Sequence, residues 1–389
     1  MDPSPELGFN TQLAHFGEGE KDKGAVAPAI YQTSLFVFDT IDEFISGLQG
    51  NPQGPPYHYS RIGNPSVDLA ERKIAQMEGT DACKLFGTGQ GAITAAIMSC
   101  VEAGGHIVAV DSCYGPTRIL LSEYLTKFGV KVTFVTGIDP QEILDAIRPE
   151  TTAVYLESPS SLLFRLQEIE TVTQHCREKG IATLIDNTHC TPFFSNPAKL
   201  GVDIVLHSAT KYLAGHSDLT AGALCTSQDR IDRLSRLEVN LLGSLLAPFP
   251  AWLLTRGMRT LGVRMLRHQE TGNLVAQWVE EHLEVEEVVH VGLPSFAQRD
   301  LFLRQMRGSS SLFSFHPKTQ DREKIVAFVE SLELFQIGVS WGGYESLVVP
   351  IELKPDNWSE PRWIVRLYCG LEEPEDLIAD LQRAMPLLT

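Results

Sequence analysis

The stretch ATLIDNT, Ala182 to Thr188, followed by DIVLHSATKYLAGHSD, Asp203 to Asp218, decides the reading of the fold. Each segment opens with a short apolar, β-branched run and ends in polar residues, Asp186 after the first run and Ser208 after the second. A run without polar alternation describes a strand covered on both faces. Upstream, AVYLE (Ala153 to Glu157), KVTFV (Lys131 to Val135) and HIVAV (His106 to Val110) have the same character. Helical patterns lie between them: TRILLSEYLTKFG from Thr117, and ETVTQHCREKG from Glu170, stopped by Gly180. Strand–helix–strand repetition predicts an α/β fold with a mostly parallel sheet over residues 64–245. In such sheets ligands sit at the carboxyl ends of the strands, where Asp186 and Ser208 fall.

On either side the pattern changes. Residues 1–63 read as an irregular arm, with GNPQGPP (Gly50 to Pro56) as its clearest loop. An arm of this kind buries little by itself and is expected to pack on another subunit or across its own domain. Residues 246–389 read as a smaller α+β domain. It has a long helical stretch from Trp252 to His282, strands near Ser311 to Phe315, Leu347 to Ile351 and Trp363 to Tyr368, and helices near Arg322 to Phe335 and Pro374 to Leu388.

Composition narrows the function. The 389-residue chain carries 49 acidic against 32 basic residues, a net charge of -17, which disfavours a nucleic-acid partner. Its most apolar stretch, Ala92 to Val110, is interrupted by Glu102 and Gly104-Gly105, so no membrane span is expected. The seven cysteines form no CxxC pair, and neither a disulfide framework nor a metal site is indicated. With no secretory signal at its start, the chain is expected to be cytoplasmic.

Taken singly, Asp186 reads as a turn cap and Lys211 as a solvated lysine. Together, at adjacent strand ends, they meet the needs of pyridoxal 5'-phosphate (PLP). A lysine amine condenses with its aldehyde, and a carboxylate keeps its ring nitrogen protonated. Ser208 and Thr210 flank Lys211 with hydroxyls suited to phosphate oxygens. A second phosphate element is GTGQGAI, Gly87 to Ile93, whose backbone N–H groups at a helix start point at anions. That segment also admits a dinucleotide reading, with Asp111 as the ribose acid. Its spacing departs from GxGxxG, and hydride transfer has no use for Asp186 and Lys211. Tyr114, beyond another strand end, is placed to stack on the cofactor ring.

These pieces resemble the Cys/Met-metabolism PLP enzymes, the cystathionine γ-synthase-like family, over nearly the whole chain. The markers stand in order: YHYSRIGNP (Tyr57 to Pro65), GTGQGAI, DSCYGPT (Asp111 to Thr117), ESPSS (Glu157 to Ser161), DNTHCTP (Asp186 to Pro192), HSATKYLAGHSD (His207 to Asp218), SWGGYESL (Ser340 to Leu347) and RLYCGLE (Arg366 to Glu372). The resemblance implies a fold of the aspartate aminotransferase type. It makes Lys211 the lysine that carries PLP and the catalytic base, and Asp186 the partner of the pyridine nitrogen. Tyr114 becomes the stacking ring and an acid/base. Gly89, Gln90, Ser208 and Thr210 become the phosphate cradle, which Tyr59 and Arg61 complete from a neighbouring subunit. Arg366 becomes the clamp on the substrate carboxylate, with Ser340 and Ser161 beside it. A homotetramer built as a dimer of dimers is implied.

The reaction implied is a lyase acting on an amino acid such as cystathionine, releasing ammonia and a 2-oxo acid. Ser161, GHSD and Trp341 lean towards the cystathionine β-lyase branch, and Pro116 leans away from methionine γ-lyases, which usually carry cysteine there. Val339 stands where many family members have a glutamate, which weakens the match to a substrate with a distal ammonium. Elimination or replacement at the γ carbon of an O-acyl homoserine, a methionine-like or a canavanine-like substrate is the alternative.

Overall fold

The computed structural model describes residues 7–18, 22–49, 56–354 and 359–389. A seven-stranded sheet holds β1 (Ala82–Phe86), β2 (His106–Val110), β3 (Lys131–Val135), β4 (Thr151–Glu157), β5 (Ala182–Asp186), β6 (Ile204–His207) and β7 (Gly222–Thr226). Its order is β1-β7-β6-β5-β4-β2-β3, and β7 alone runs against the others. Every residue of β2, β5, β6 and β7 is buried, which is why these strands show no alternation. The strands expected at 106–110, 131–135, 153–157, 182–186 and 203–208 are all present. β1 and β7 were not expected. Lys84 interrupts β1 and pairs with Glu71 at 2.8 Å, while β7 begins at a glycine.

Gly222 has a packing reason. A Cβ there would stand 2.1 Å from the carbonyl oxygen of Thr88, so glycine lets the helix Gly89–Met98 start directly against the sheet. The Thr88 hydroxyl caps that helix by accepting from Gly91 N–H at 3.0 Å. The helix expected from Thr117 is present as three linked pieces, with a π turn over Leu120–Tyr124. Ile169–Glu178 is a helix followed by Gly180 at φ 68°, as expected.

The smaller sheet contains β8 (Val285–Val289), β9 (Leu312–Pro317), β10 (Gln336–Ile337), β11 (Leu347–Leu353) and β12 (Arg362–Tyr368), in the order β10-β11-β12-β9-β8. Phe313, Phe315, Phe328, Phe335, Leu377 and Leu381 form its own core. The single helical stretch expected over 252–282 is two helices, Pro248–Met258 and Leu261–Glu280, separated where Thr260 leaves helical geometry.

The described residues of the expected arm are not irregular throughout. Phe9–His15 is helical, with the Phe9 ring on Phe193 at 5.1 Å and Leu13 carbonyl bound by Lys73. Ile41–Leu48 is helical behind a capping box of Thr40 and Glu43. The GNPQGPP loop lies outside the described residues except for Pro56. Among the described residues no helix is long and apolar enough to cross a membrane.

Candidate active site

The loops leaving β1, β2, β4, β5 and β6 at their carboxyl ends converge on one cavity of about 920 Å³, closed on its far side by the smaller sheet. Lys211, Asp186, Tyr114, Gly89, Gln90, Ser208, Thr210, Ser161, Ser340 and Arg366 all line it. Tyr59 and Arg61 do not line it. Within the chain, Arg61 donates to Asn240 carbonyl at 3.2 Å and lies over the Tyr59 ring.

Lys211 follows β6 by four residues, and its amine donates to Ser340 Oγ at 2.6 Å and sits 5.4 Å from the Trp341 ring centroid. Burial and the nearby Arg366 guanidinium bring the Lys211 ammonium down to about 8, against the opposing pull of Asp186 and Glu345. A free amine is thereby within reach at neutral pH. Asp186 is buried. Burial raises its carboxyl, while both the N–H and the hydroxyl of Thr188 donate to it and hold it down. Arg366, on β12 opposite Val349, donates to Val339 carbonyl, and burial lowers it to about 10. It remains a cation at neutral pH.

The helix Gly89–Met98 points its N-terminus at the cavity. A Cβ on Gly89 would meet Ser208 Oγ at 2.8 Å, so glycine keeps the gap between helix start and Ser208 open to an anion. Thr210 is less free: its hydroxyl donates to Ala221 carbonyl at 3.1 Å and accepts from Ala221 N–H at 2.9 Å. Thr188 ties the two strand ends together, because its hydroxyl also accepts from Ser208 N–H at 2.8 Å. A lysine amine, a buried carboxylate on the next strand and an open helix N-terminus suit the aldehyde, ring nitrogen and phosphate of PLP.

The motifs did not assign three groups that matter here. Thr188 follows Asp186 by two residues, a spacing typical of local turn bonding that offered a signal. Glu157 accepts from Tyr114 N–H at 2.8 Å and lies 2.6 Å from Ser161 Oγ. Behind Asp186, His207 Nε2 lies 2.6 Å from Glu78 Oε1, and Asn187 donates to the same oxygen, all three side chains buried. Neither Glu78 nor His207 stands in a motif that announces the pair. Among the described residues no cluster of three or more His, Cys, Asp or Glu could hold a metal.

A solved structure of metB from Corynebacterium glutamicum shares the fold. It has a TM-score of 0.90, 29% identity, and coverage of 99% of this chain and 100% of that one. The arrangement of the two sheets is thus that of the PLP-dependent enzymes of the aspartate aminotransferase fold. The chain belongs to the Cys/Met metabolism PLP-dependent enzyme family, which it matches over residues 10–386. It is similar to L-methionine gamma-lyase of Porphyromonas gingivalis, 40% identical with 98% of each chain covered. It also resembles cystathionine gamma-lyase of Bacillus subtilis, 33% identical over 96% of this chain and 98% of that one. Both relatives are named as γ-lyases. Those names run against the lean of Ser161, GHSD and Trp341 towards the β-lyase branch, and of Pro116 away from methionine γ-lyases.

Proposed function

We propose that the protein is a carbon–sulfur lyase that eliminates the γ substituent of a methionine-like amino acid. With methionine it would consume water and yield methanethiol, ammonia and 2-oxobutyrate. The observation that carries this reading is the outer wall of the cavity. Val339, Val349, Ile351 and Leu353 face it from the smaller domain, with Leu162 and Leu163 from the loop after β4. A thioether methyl suits such a wall, whereas a distal ammonium would be left without a partner. The names of the two relatives support the same reaction at the γ carbon.

In this proposal Lys211, Asp186, Tyr114, Gly89, Gln90, Ser208 and Thr210 hold PLP. When bound, PLP supplies an electron sink for the bonds broken at Cα and Cβ. Arg366 grips the substrate carboxylate through its planar fork. Lys211, once free, would act as the base at Cα and, after handing that proton on and becoming neutral again, as the base at Cβ, while Tyr114 would protonate the departing sulfur. Asp186 keeps the ring nitrogen charged.

Tyr59 and Arg61 would serve the phosphate of a second copy. Exposed apolar residues support this assignment. Val37 is 88% and Leu241 75% exposed, with Leu35, Ile41 and Tyr59 also exposed. The active unit is then at least a dimer, with a tetramer of two such pairs as the full assembly. We divide the chain into an arm (1–63), a PLP-binding domain (64–245) and a C-terminal domain (246–389).

A second reading, β-elimination from cystathionine to pyruvate, ammonia and homocysteine, is favoured by Trp341, which stands beside Lys211. Chromatographic identification of the 2-oxo acid separates the two. Rapid 2-oxobutyrate release from methionine supports γ-elimination. Pyruvate from cystathionine, with methionine inert, would overturn it.

A further inference from the structure

The carboxyl ends of β4 and β5 place two acids side by side. Glu157 and Asp186 are register partners in the parallel pair, and they are only 6% and 8% exposed. Two adjacent buried carboxylates are not both ionised without a compensating charge for each. Asp186 has its compensation. Burial raises its carboxyl, but both donors of Thr188 converge on it and the Lys211 amine adds a favourable charge. Among the described residues no cation pairs with Glu157. The other titratable groups that face it, Cys113 and Tyr155, are themselves acids whose protons burial holds on more tightly.

The contacts of Glu157 fit a protonated carboxyl. One oxygen accepts from Tyr114 N–H at 2.8 Å, and the other is 2.6 Å from the Ser161 hydroxyl, a bond that runs in either direction; the Ser161 backbone N–H also faces the carboxyl, and burial outweighs these donors. An ionised Glu157 must accept the Ser161 hydrogen. A protonated Glu157 donates to the Ser161 oxygen and leaves the Ser161 O–H free to point into the cavity, which Ser161 lines.

We infer that Glu157 is a positioning residue: it holds the proton of a buried carboxyl pair with Asp186 and so turns Ser161 into a hydrogen-bond donor towards the cavity. Burial, and then the charge of Asp186, push the Glu157 carboxyl up to about 8, which keeps the proton in place at neutral pH. The role of Ser161 rests on the cavity being the cofactor and substrate site. The proton on Glu157 does not.

Infrared spectra of the holoenzyme across pH test the proton without reference to any substrate. A protonated-carboxyl stretch should be present at pH 7, titrate away near 8, and be missing in Glu157→Gln. Its midpoint should fall in Asp186→Asn, where the neighbouring charge is gone. Absence of the band in the parent protein, its survival in Glu157→Gln, or an unmoved midpoint in Asp186→Asn would each overturn the inference. Turnover tests the consequence. Glu157→Ala, which loses these contacts, should be slower by roughly tenfold or more. Glu157→Gln can still accept from Tyr114 and donate to Ser161, so it should recover most of that loss and flatten the alkaline limb of the pH profile. If Gln were as damaging as Ala, a charged Glu157 would be required and the inference would fail.

Discussion

The carboxyl edge of the large sheet and the segment around Tyr59 differ in what one chain can finish. At the sheet edge, strand register alone delivers Glu157 beside Asp186, Asp186 beside Leu206, and Lys211 four residues beyond His207. Glu157 and Asp186 are buried there and Lys211 half-buried, and all three are hydrogen-bonded and shifted in protonation. Around Tyr59 the reverse holds. Leu35 and Tyr59 meet in an isolated bridge, Val37 projects into solvent, and Arg61 reaches a backbone carbonyl and the Tyr59 ring at the surface of its own chain. On the proposed assignment, the site of one subunit takes a phosphate cation, Arg61, from a second subunit. The apolar exposure beside Arg61 is the surface which that copy would cover.

The largest expected effect breaks the complete region. Lys211→Ala should lower kcat/KM by about a thousandfold or more, because one amine serves as both anchor and base. Its mixture with Arg61→Ala sharpens the comparison. Random reassortment makes half of the dimers hybrids, each with one intact site, so roughly a quarter of parental activity should return. If no activity returned despite subunit exchange shown by mass spectrometry, Arg61 would have no role in the neighbouring site.

Next in size is Arg366→Ala. Loss of the fork should raise KM for methionine by roughly tenfold to a hundredfold, with a smaller fall in kcat as orientation degrades. An amino-acid amide, which has no carboxylate, should be insensitive to the change. Equal losses for methionine and its amide would place the carboxylate elsewhere.

The strand ends were legible in the sequence for a physical reason. Doubly covered parallel strands read as unbroken apolar runs, and polar residues at their ends then stand out as Asp186 and Lys211 do. β7 was hidden because GALCT is short and begins with the glycine that admits the Thr88 turn, and β1 because Lys84 is neutralised by a glutamate thirteen residues away. Glu157 was quoted within a motif, yet its burial against Asp186 is set by strand pairing that no local pattern encodes. The reaction was the least legible part. Trp341 and Val339 flank Ser340 and point to different chemistries, so a few wall residues gave conflicting advice, while the relatives alike along the whole chain are named as γ-lyases.

The smallest expected effect concerns stability without cofactor. The Lys211 ammonium falls to about 8 in the fold from an ordinary value of 10.5. Between those values the unfolded chain binds more protons, so this lysine's contribution is fully favourable above 10.5 and is lost as pH falls through 8. Apoprotein carrying Lys211→Met should therefore melt higher than the parent at pH 7, by roughly a few degrees. That gain should shrink steadily as pH rises towards 10.5. A constant difference across the range would mean that packing, and not the buried charge, distinguishes the two proteins.

Among the described residues two lysines line the cavity, Lys211 beyond the end of β6 and Lys354 just beyond β11, and the first is near Asp186 in the network of charges. Borohydride reduction of the yellow holoenzyme, followed by digestion and peptide mass mapping, asks directly which of them carries PLP. The expected result is a single pyridoxyl adduct on the peptide containing Lys211, with visible absorbance bleached in proportion. An adduct on Lys354, or bleaching with no modified lysine, would contradict the assignment on which every other role in the cavity depends.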